Sequence, residues 1–482
     1  MGIVRELNKI RGGWPGGWKS HARGSGNPTA TPPFVQPTDP DDRRSMIPPL
    51  GHRDYWYPAL PAKDVGWKKP VALKICGDDI VFFRGTDGEV KALWDYCPHR
   101  GAYLSWGDCF FKGYVSCPYH GATFDGDGEC VEFITEGPDS KMVGRMKAKS
   151  YKTITLKGVV FIWMGEDEPV DPKEDIPPEF FEDPRTIALY TFRYWHCNWM
   201  IGLENTRDSH NHFFVHRNAF RVMFSARGWL GGRPRTPLAY RTKIINGRSV
   251  TGFGDRETEA YYKHPETGKL PYKMYYPRVG GTWPLSSWRL SWVWAFQLAE
   301  KYGIGRRRDR NANVDMPEDW RSGMRLPGLQ RVGFTRYCVP VEENLTRAIY
   351  FAFRRSDTTL GRAWQTFSYK AVGEWLAHFN FSDQDYDAMR SCRWQYPEYL
   401  SATDNHLVAE RKLAAEYGRK RWTPLEVAAD TAAERQVRET AAFFGIDAAT
   451  DEGLSHVRAA EPIAVEVATG IPANGSNGNG HA

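Results

Sequence analysis

Between Tyr55 and about Glu168, short runs of β-branched and aromatic residues alternate with Gly, Pro, Asp and Asn. The runs at 71–75, 80–83 and 159–163 are each long enough for one strand and too short for a helix. Their spacing predicts a small antiparallel β domain. Asp125-Gly126-Asp127-Gly128-Glu129 starts like a calcium loop but lacks the later ligand positions, so it reads as a hairpin turn. A joint containing Pro169, Pro172, Pro177 and Pro178 follows, and beyond it the pattern changes. A strand at 187–195 leads into a polar, helical stretch at 198–216; strand-like runs recur at 288–296 and 348–353. Helical patterns then occupy 362–379, 383–393 and 405–417. Mixed sheet closed by late helices is an α+β arrangement.

These shifts divide the chain into a Gly/Pro-rich arm at 1–50, a β domain at 51–170 and a larger domain at 180–422. A helical extension at 423–467 and a disordered tail at 468–482 follow. A hydrophobic content of 41% with 25% charged residues is that of a globular protein, and 19 Trp suit a thick core. A formal charge of +6 over 482 residues does not call for nucleic acid. No run approaches the roughly 18 apolar residues of a membrane helix, and Met1 to Glu6 lacks the apolar core of a signal peptide. The expected setting is the cytoplasm, with no membrane partner. No dinucleotide fingerprint is present, because Gly303-x-Gly305 runs straight into Arg306-Arg307-Arg308.

Two loops carry concentrated chemistry: Cys97-Pro98-His99-Arg100-Gly101 and Cys117-Pro118-Tyr119-His120-Gly121. Each offers one thiol and one imidazole. Structural zinc also takes two Cys and two His, but zinc fingers usually pair Cys with Cys and His with His. The mixed loops fit a Rieske [2Fe–2S] cluster instead, in which two thiolates hold one iron and two imidazoles the other. The other six cysteines are scattered without a framework spacing.

A second concentration lies at Asp208, His210, His212 and His216. On a helix His212 and His216 stand at i and i+4, so both rings leave one face; His210 points about 240° away from His216. Two histidines and one carboxylate form the facial triad of non-haem Fe(II) sites. Asp383, Asp385 and Asp387 all offer that carboxylate, and each also suits ordinary capping at a helix start.

With Asn198-Trp199, Glu204-Asn205-x-x-Asp208, His212/His216 and Gln384-Asp385, the chain resembles catalytic subunits of the Rieske non-haem iron oxygenases over about residues 52–420. The three-residue gap between His212 and His216 resembles that of the carbazole dioxygenase and 2-oxoquinoline monooxygenase type. The resemblance implies a Rieske domain followed by a helix-grip catalytic domain. It implies Cys97, His99, Cys117 and His120 as cluster ligands, with Ala102 and Tyr119 standing where respiratory Rieske proteins carry a disulfide. It also implies mononuclear iron on His212, His216 and Asp385, Asn205 beside that iron, and Asp208 as the electron bridge between subunits of a homotrimer. The spacing departs from the family by one residue, which keeps His210 as the alternative ligand. Expected partners are O2, an apolar aromatic substrate, and a ferredoxin or NAD(P)H-dependent reductase, docked near Arg100, Lys112 or the arginines at 306–310. The rival activities are oxidative demethylation or monooxygenation by the same site. From a different class comes a non-catalytic Rieske electron carrier or redox sensor.

Overall fold

The structure is a computed structural model describing residues 43–181, 184–205, 241–245, 248–252, 330–394 and 404–431, with single positions at 398, 400, 434 and 437. The arginines at 306–310, the strand expected at 288–296 and most of both terminal segments lie outside the described residues. The strands in chain order are β1 (Trp56–Pro61), β2 (Val71–Ile75), β3 (Asp78–Arg84), β4 (Val90–Trp94), β5 (Val115–Ser116), β6 (Ala122–Phe124), β7 (Cys130–Phe133) and β8 (Ser150–Tyr151). After these come β9 (Thr153–Leu156), β10 (Val159–Trp163), β11 (Thr186–Trp195), β12 (Arg241–Ile245), β13 (Arg248–Gly252), β14 (Gln330–Glu342) and β15 (Leu345–Arg355).

The chain divides into two compact units. The smaller one takes Lys63–Lys74 and Asp78–Thr153. It is built from the sheets β2-β3-β4-β8 and β5-β6-β7. Alternate positions on β3 and β4 put Val81, Phe83 and Leu93 into a core shared with Leu104, Val115, Phe124, Cys130 and Phe133. Each fully buried side chain of this size contributes about 1.5–3 kcal/mol. The acidic segment 125–129 is the β6–β7 turn, where Asp125 Oδ1 accepts from the amides of Asp127 and Glu129, both at 2.9 Å. The aspartate is spent on the turn itself.

Among the described residues the larger unit contains three antiparallel sheets, β1-β10-β9, β11-β15-β14 and the pair β12-β13. The central strand β15 is buried continuously from Leu345 to Phe353, as befits a strand covered on both faces. Two helices bracket the chemistry, α1 (Trp199–Asn205) directly after β11 and α2 (Thr359–Ser368) after β15. Hydrophobic spacing separates a helix at 362–379 from one at 383–393, yet α2 runs without a break into α3 (Asp383–Met389). Wide π turns at Tyr369–Gly373 and Trp375–Ser382 join them. They absorb the phase jump that the spacing registered as two helices, and the Ser382 hydroxyl donates to the Ala377 carbonyl at 3.0 Å within the second. Such turns concentrate at functional sites. Helices α4 (Asn405–Glu416) and α5 (Pro424–Ala429) follow. No helix among the described residues is long and apolar enough to cross a membrane.

Candidate metal centres

The two Cys/His loops of the smaller unit are built alike. In each, the residue before the cysteine pairs antiparallel with the residue six beyond it, Tyr96 with Tyr103 and Ser116 with Thr123. In each, the cysteine amide donates to an alanine carbonyl, Cys97 to Ala102 and Cys117 to Ala122, both at 2.8 Å. The glycine amide closes a tighter turn back to the cysteine carbonyl, at 2.8 Å for Gly101 and 3.1 Å for Gly121. Both glycines sit at positive φ, 74° and 71°, where a side chain is strained. The C-P-x-x-G repeat therefore folds twice into one shape. Only the histidine differs in position, one residue later in the second loop.

The shared shape delivers the four groups as two pairs. Cys97 and Cys117 lie at the buried base, each 2% exposed, and their sulfurs hydrogen-bond to one another. That bond pulls the Cys117 thiol below the ordinary thiol range and pushes Cys97 above it. Amides of His99 and Arg100 also donate toward Cys97, and those of Tyr119 and His120 toward Cys117, which favours the thiolates against the burial that disfavours them. The rings of His99 and His120 stand 4.7 Å apart. The outer edge of His120 reaches solvent, while its Nδ1 is shielded and has no protein partner. A shielded ring nitrogen left unpaired is what a metal ligand presents. Tyr119 stacks on His120 at 3.8 Å, and Phe133 meets His99 edge-on at 5.2 Å. Two sulfurs together and two imidazoles together suit two irons rather than one tetrahedral zinc. Among the described residues no three such groups converge on a single ion. All eight cysteines are free, including those of the loops.

The second candidate site is assembled on α1, β14 and α3 of the larger unit. Asn198 starts α1, its side chain accepting from the Met200 amide at 3.0 Å and donating to the Glu343 carbonyl at 2.8 Å. The Trp199 indole donates to the Pro48 carbonyl at 2.9 Å. At the far end of α1, Asn205 donates from Nδ2 to Oδ1 of Asp385, a carboxylate 4% exposed on α3. Asp385, one of the three aspartates open to choice from sequence, is thus bonded to Asn205 of the Glu204-Asn205 motif. Asp208, His210, His212 and His216 lie outside the described residues. Glu204 is buried and held by Arg411 of α4, Nε to Oε1 at 2.7 Å; burial pushes its carboxyl up to about 7 against the pull of that arginine. Arg411 also binds Glu398 at 2.6 Å and lies over the Trp394 ring.

Sequence reasoning missed Arg336 and Arg411. Arg336 donates from both terminal nitrogens to Asn205 Oδ1, each at 3.2 Å, and from Nη2 to the Gly202 carbonyl at 2.8 Å. It belongs to β14, a strand whose Gly, Thr, Arg and Pro hide any alternation. No motif marks either arginine in the sequence.

Comparison with known proteins fits this geometry. The Rieske [2Fe-2S] domain family matches residues 55–152. The terminal oxygenase component of carbazole 1,9a-dioxygenase from Sphingomonas sp is 37% identical over 175 residues, which is 36% of this chain and 45% of that protein. The chain thus spans about half the length of the curated relatives it matches. Among solved structures, the terminal oxygenase of carbazole 1,9a-dioxygenase from Novosphingobium sp. KA1 has a TM-score of 0.57 at 24% identity, covering 79% of this chain and 96% of that one. The reduced oxygenase–ferredoxin complex of carbazole 1,9a-dioxygenase gives a TM-score of 0.56 at 22% identity, with 79% and 93% covered. Residues 55–152 therefore form a Rieske [2Fe-2S] domain, in a chain that shares the fold of terminal oxygenases.

Proposed function

We propose that this chain is the terminal oxygenase of a multicomponent system that inserts oxygen from O2 into an apolar, aromatic or polycyclic substrate. The observation carrying the proposal is the double pairing in the smaller unit, two buried thiols on twin loops and two imidazoles 4.7 Å apart, one with a shielded and unpaired Nδ1. Cys97 and Cys117 hold one iron of the cluster, His99 and His120 the other. Asp385, with His212 and His216, holds a mononuclear iron, and His210 is the alternative to His212. When bound, the cluster passes electrons singly and the mononuclear iron activates O2.

The chain's own residues prepare for both. Amides beside the two sulfurs stabilise negative charge on the loops, and the Tyr119 and Phe133 rings pack the imidazoles in place. Asn205 orients the Asp385 carboxylate. Asp208 follows α1 after two residues, and we assign it to accept a hydrogen bond from His120 of the partner subunit within a homotrimer. Arg100, exposed beside the histidines, and Lys112 offer a cationic docking edge for an acidic ferredoxin, itself reduced from NAD(P)H. Eight free thiols suit the reducing cytoplasm.

Iron analysis combined with oxygen uptake tests the reading. About three irons and two acid-labile sulfides per chain are expected, with O2 uptake dependent on an aromatic substrate and on a reductant–ferredoxin pair. Label from 18O2 then separates insertion of one atom from two. About two irons and no uptake over a broad aromatic panel would leave an electron carrier in place of an oxygenase.

A further inference from the structure

Arg336, Asn205 and Asp385 form a directional relay that no motif announces. The guanidinium only donates and the carboxylate only accepts, so the amide between them has one permissible orientation. Its oxygen must face Arg336, which places two donors on Oδ1 at 3.2 Å each. Its nitrogen must face Asp385, whose Oδ1 lies at 3.2 Å. A reversed amide would set N–H against guanidinium and carbonyl oxygen against carboxylate, losing three bonds and adding two repulsions. Arg336 is itself immobilised, by the Gly202 carbonyl at 2.8 Å in the last turn of α1 and by the Trp195 ring, 5.0 Å from Cζ. Trp195 is fully buried.

We propose that Arg336 is the positioning residue of the mononuclear iron site, acting through the amide of Asn205 to fix the direction in which Asp385 presents its carboxylate. The inference rests on Asp385 being an iron ligand. Groups that orient a ligand typically govern metal affinity by 10–100-fold without touching the metal. Arg336 also ties α1 to β14, so the residue that aims the carboxylate fixes the end of the helix from which the histidine segment departs.

The two roles of Arg336, aiming the amide and anchoring α1, separate in a mutant cycle read as Fe(II) affinity. Protein freed of mononuclear iron is titrated anaerobically, with the visible spectrum of the cluster confirming an intact smaller unit. Arg336→Gln presents an oxygen that can accept from the Asn205 N–H and so permits the reversed amide; its Fe(II) affinity should fall at least tenfold. Arg336→Lys keeps a donor-only group and should recover most of that loss. In an Asn205→Ala background, where no amide remains to be aimed, Arg336→Gln should cost nothing further. Wild-type affinity in Arg336→Gln, or equal losses in both backgrounds, would overturn the proposal, the second result showing a structural anchor alone. Asp385→Ala must abolish binding of the third iron; if wild type and Asp385→Ala bind it equally, the ligand assignment falls and the relay with it.

Discussion

Replacing the two loop glycines with alanine, one at a time, gives the most discriminating test of how the cluster loops are held. Gly101 and Gly121 occupy equivalent places with nearly equal φ, 74° and 71°, so the backbone penalty is the same for both, about 1–2 kcal/mol. Their surroundings differ. A Cβ at Gly101 meets no protein atom within 4 Å, whereas one at Gly121 falls 2.7 Å from Ile134 Cβ and 3.3 Å from Cγ1 and Cδ1. Ile134 cannot retreat freely, because its amide donates to the Gly121 carbonyl at 3.2 Å. Overpacking of this kind adds about 1–3 kcal/mol. Bleaching of the visible cluster absorbance at a fixed elevated temperature reads the difference, each 1.4 kcal/mol of barrier being about tenfold in rate. Gly101→Ala should bleach up to about thirtyfold faster than wild type, and Gly121→Ala about fivefold to a hundredfold faster still. Ile134→Gly in the Gly121→Ala chain removes the colliding Cβ and should return the rate to that of Gly101→Ala. Equal rates for the two single variants, or no rescue, would refute the steric argument and leave the backbone conformation as the whole cost.

Three other outcomes follow from the geometry. His120→Cys replaces a neutral ligand with an anionic one, so the cluster potential should drop sharply or the cluster be lost; spectroelectrochemistry measures it, and an unchanged potential would remove His120 from the ligand set. Asp208→Asn should leave both metal centres loaded and the cluster reducible, while stopped-flow reoxidation with substrate and O2 slows by orders of magnitude. Glu204 holds its proton to about pH 7 in the folded chain and releases it near its ordinary 4.5 when unfolded. Between those values the unfolded state binds fewer protons, so stability should fall as pH rises, and in Glu204→Gln that slope should disappear from the thermal transition.

The sequence carried the smaller unit well because its signals are local. The strand bounds at 71–75 and 159–163 coincide with β2 and β10, and the paired C-P-x-x-G segments specify loop shape and ligand type together. Asn198-Trp199 and Glu204-Asn205 likewise pointed to α1. The arginines could not be found this way. Arg336 works across 131 positions to Asn205, and Arg411 across 207 to Glu204. Such pairings depend on sheet register and helix docking, which leave no mark at either end of the sequence. The residue pattern alone left Asp383, Asp385 and Asp387 open for a related reason, since all three satisfy the same capping pattern and the amide that bonds Asp385 comes from 180 positions away.

The wide-turned helix between Tyr369 and Ser382 has a consequence for how the larger unit can change over time. A π turn contains one more residue than the α turn it replaces, so it is a stored insertion. Deleting one residue there would let the winding tighten to the ordinary form, with flanking hydrogen bonds remade and no chain break. The part of the helix after the deletion, α3 with Asp385, would then rotate by about 100° relative to α2 unless a neighbouring turn widened in compensation. Length changes in this stretch, rather than substitutions, therefore offer the chain its coarsest control over which side chains the helix turns toward β15. Comparing segment lengths across related proteins would reveal lineages that have used it.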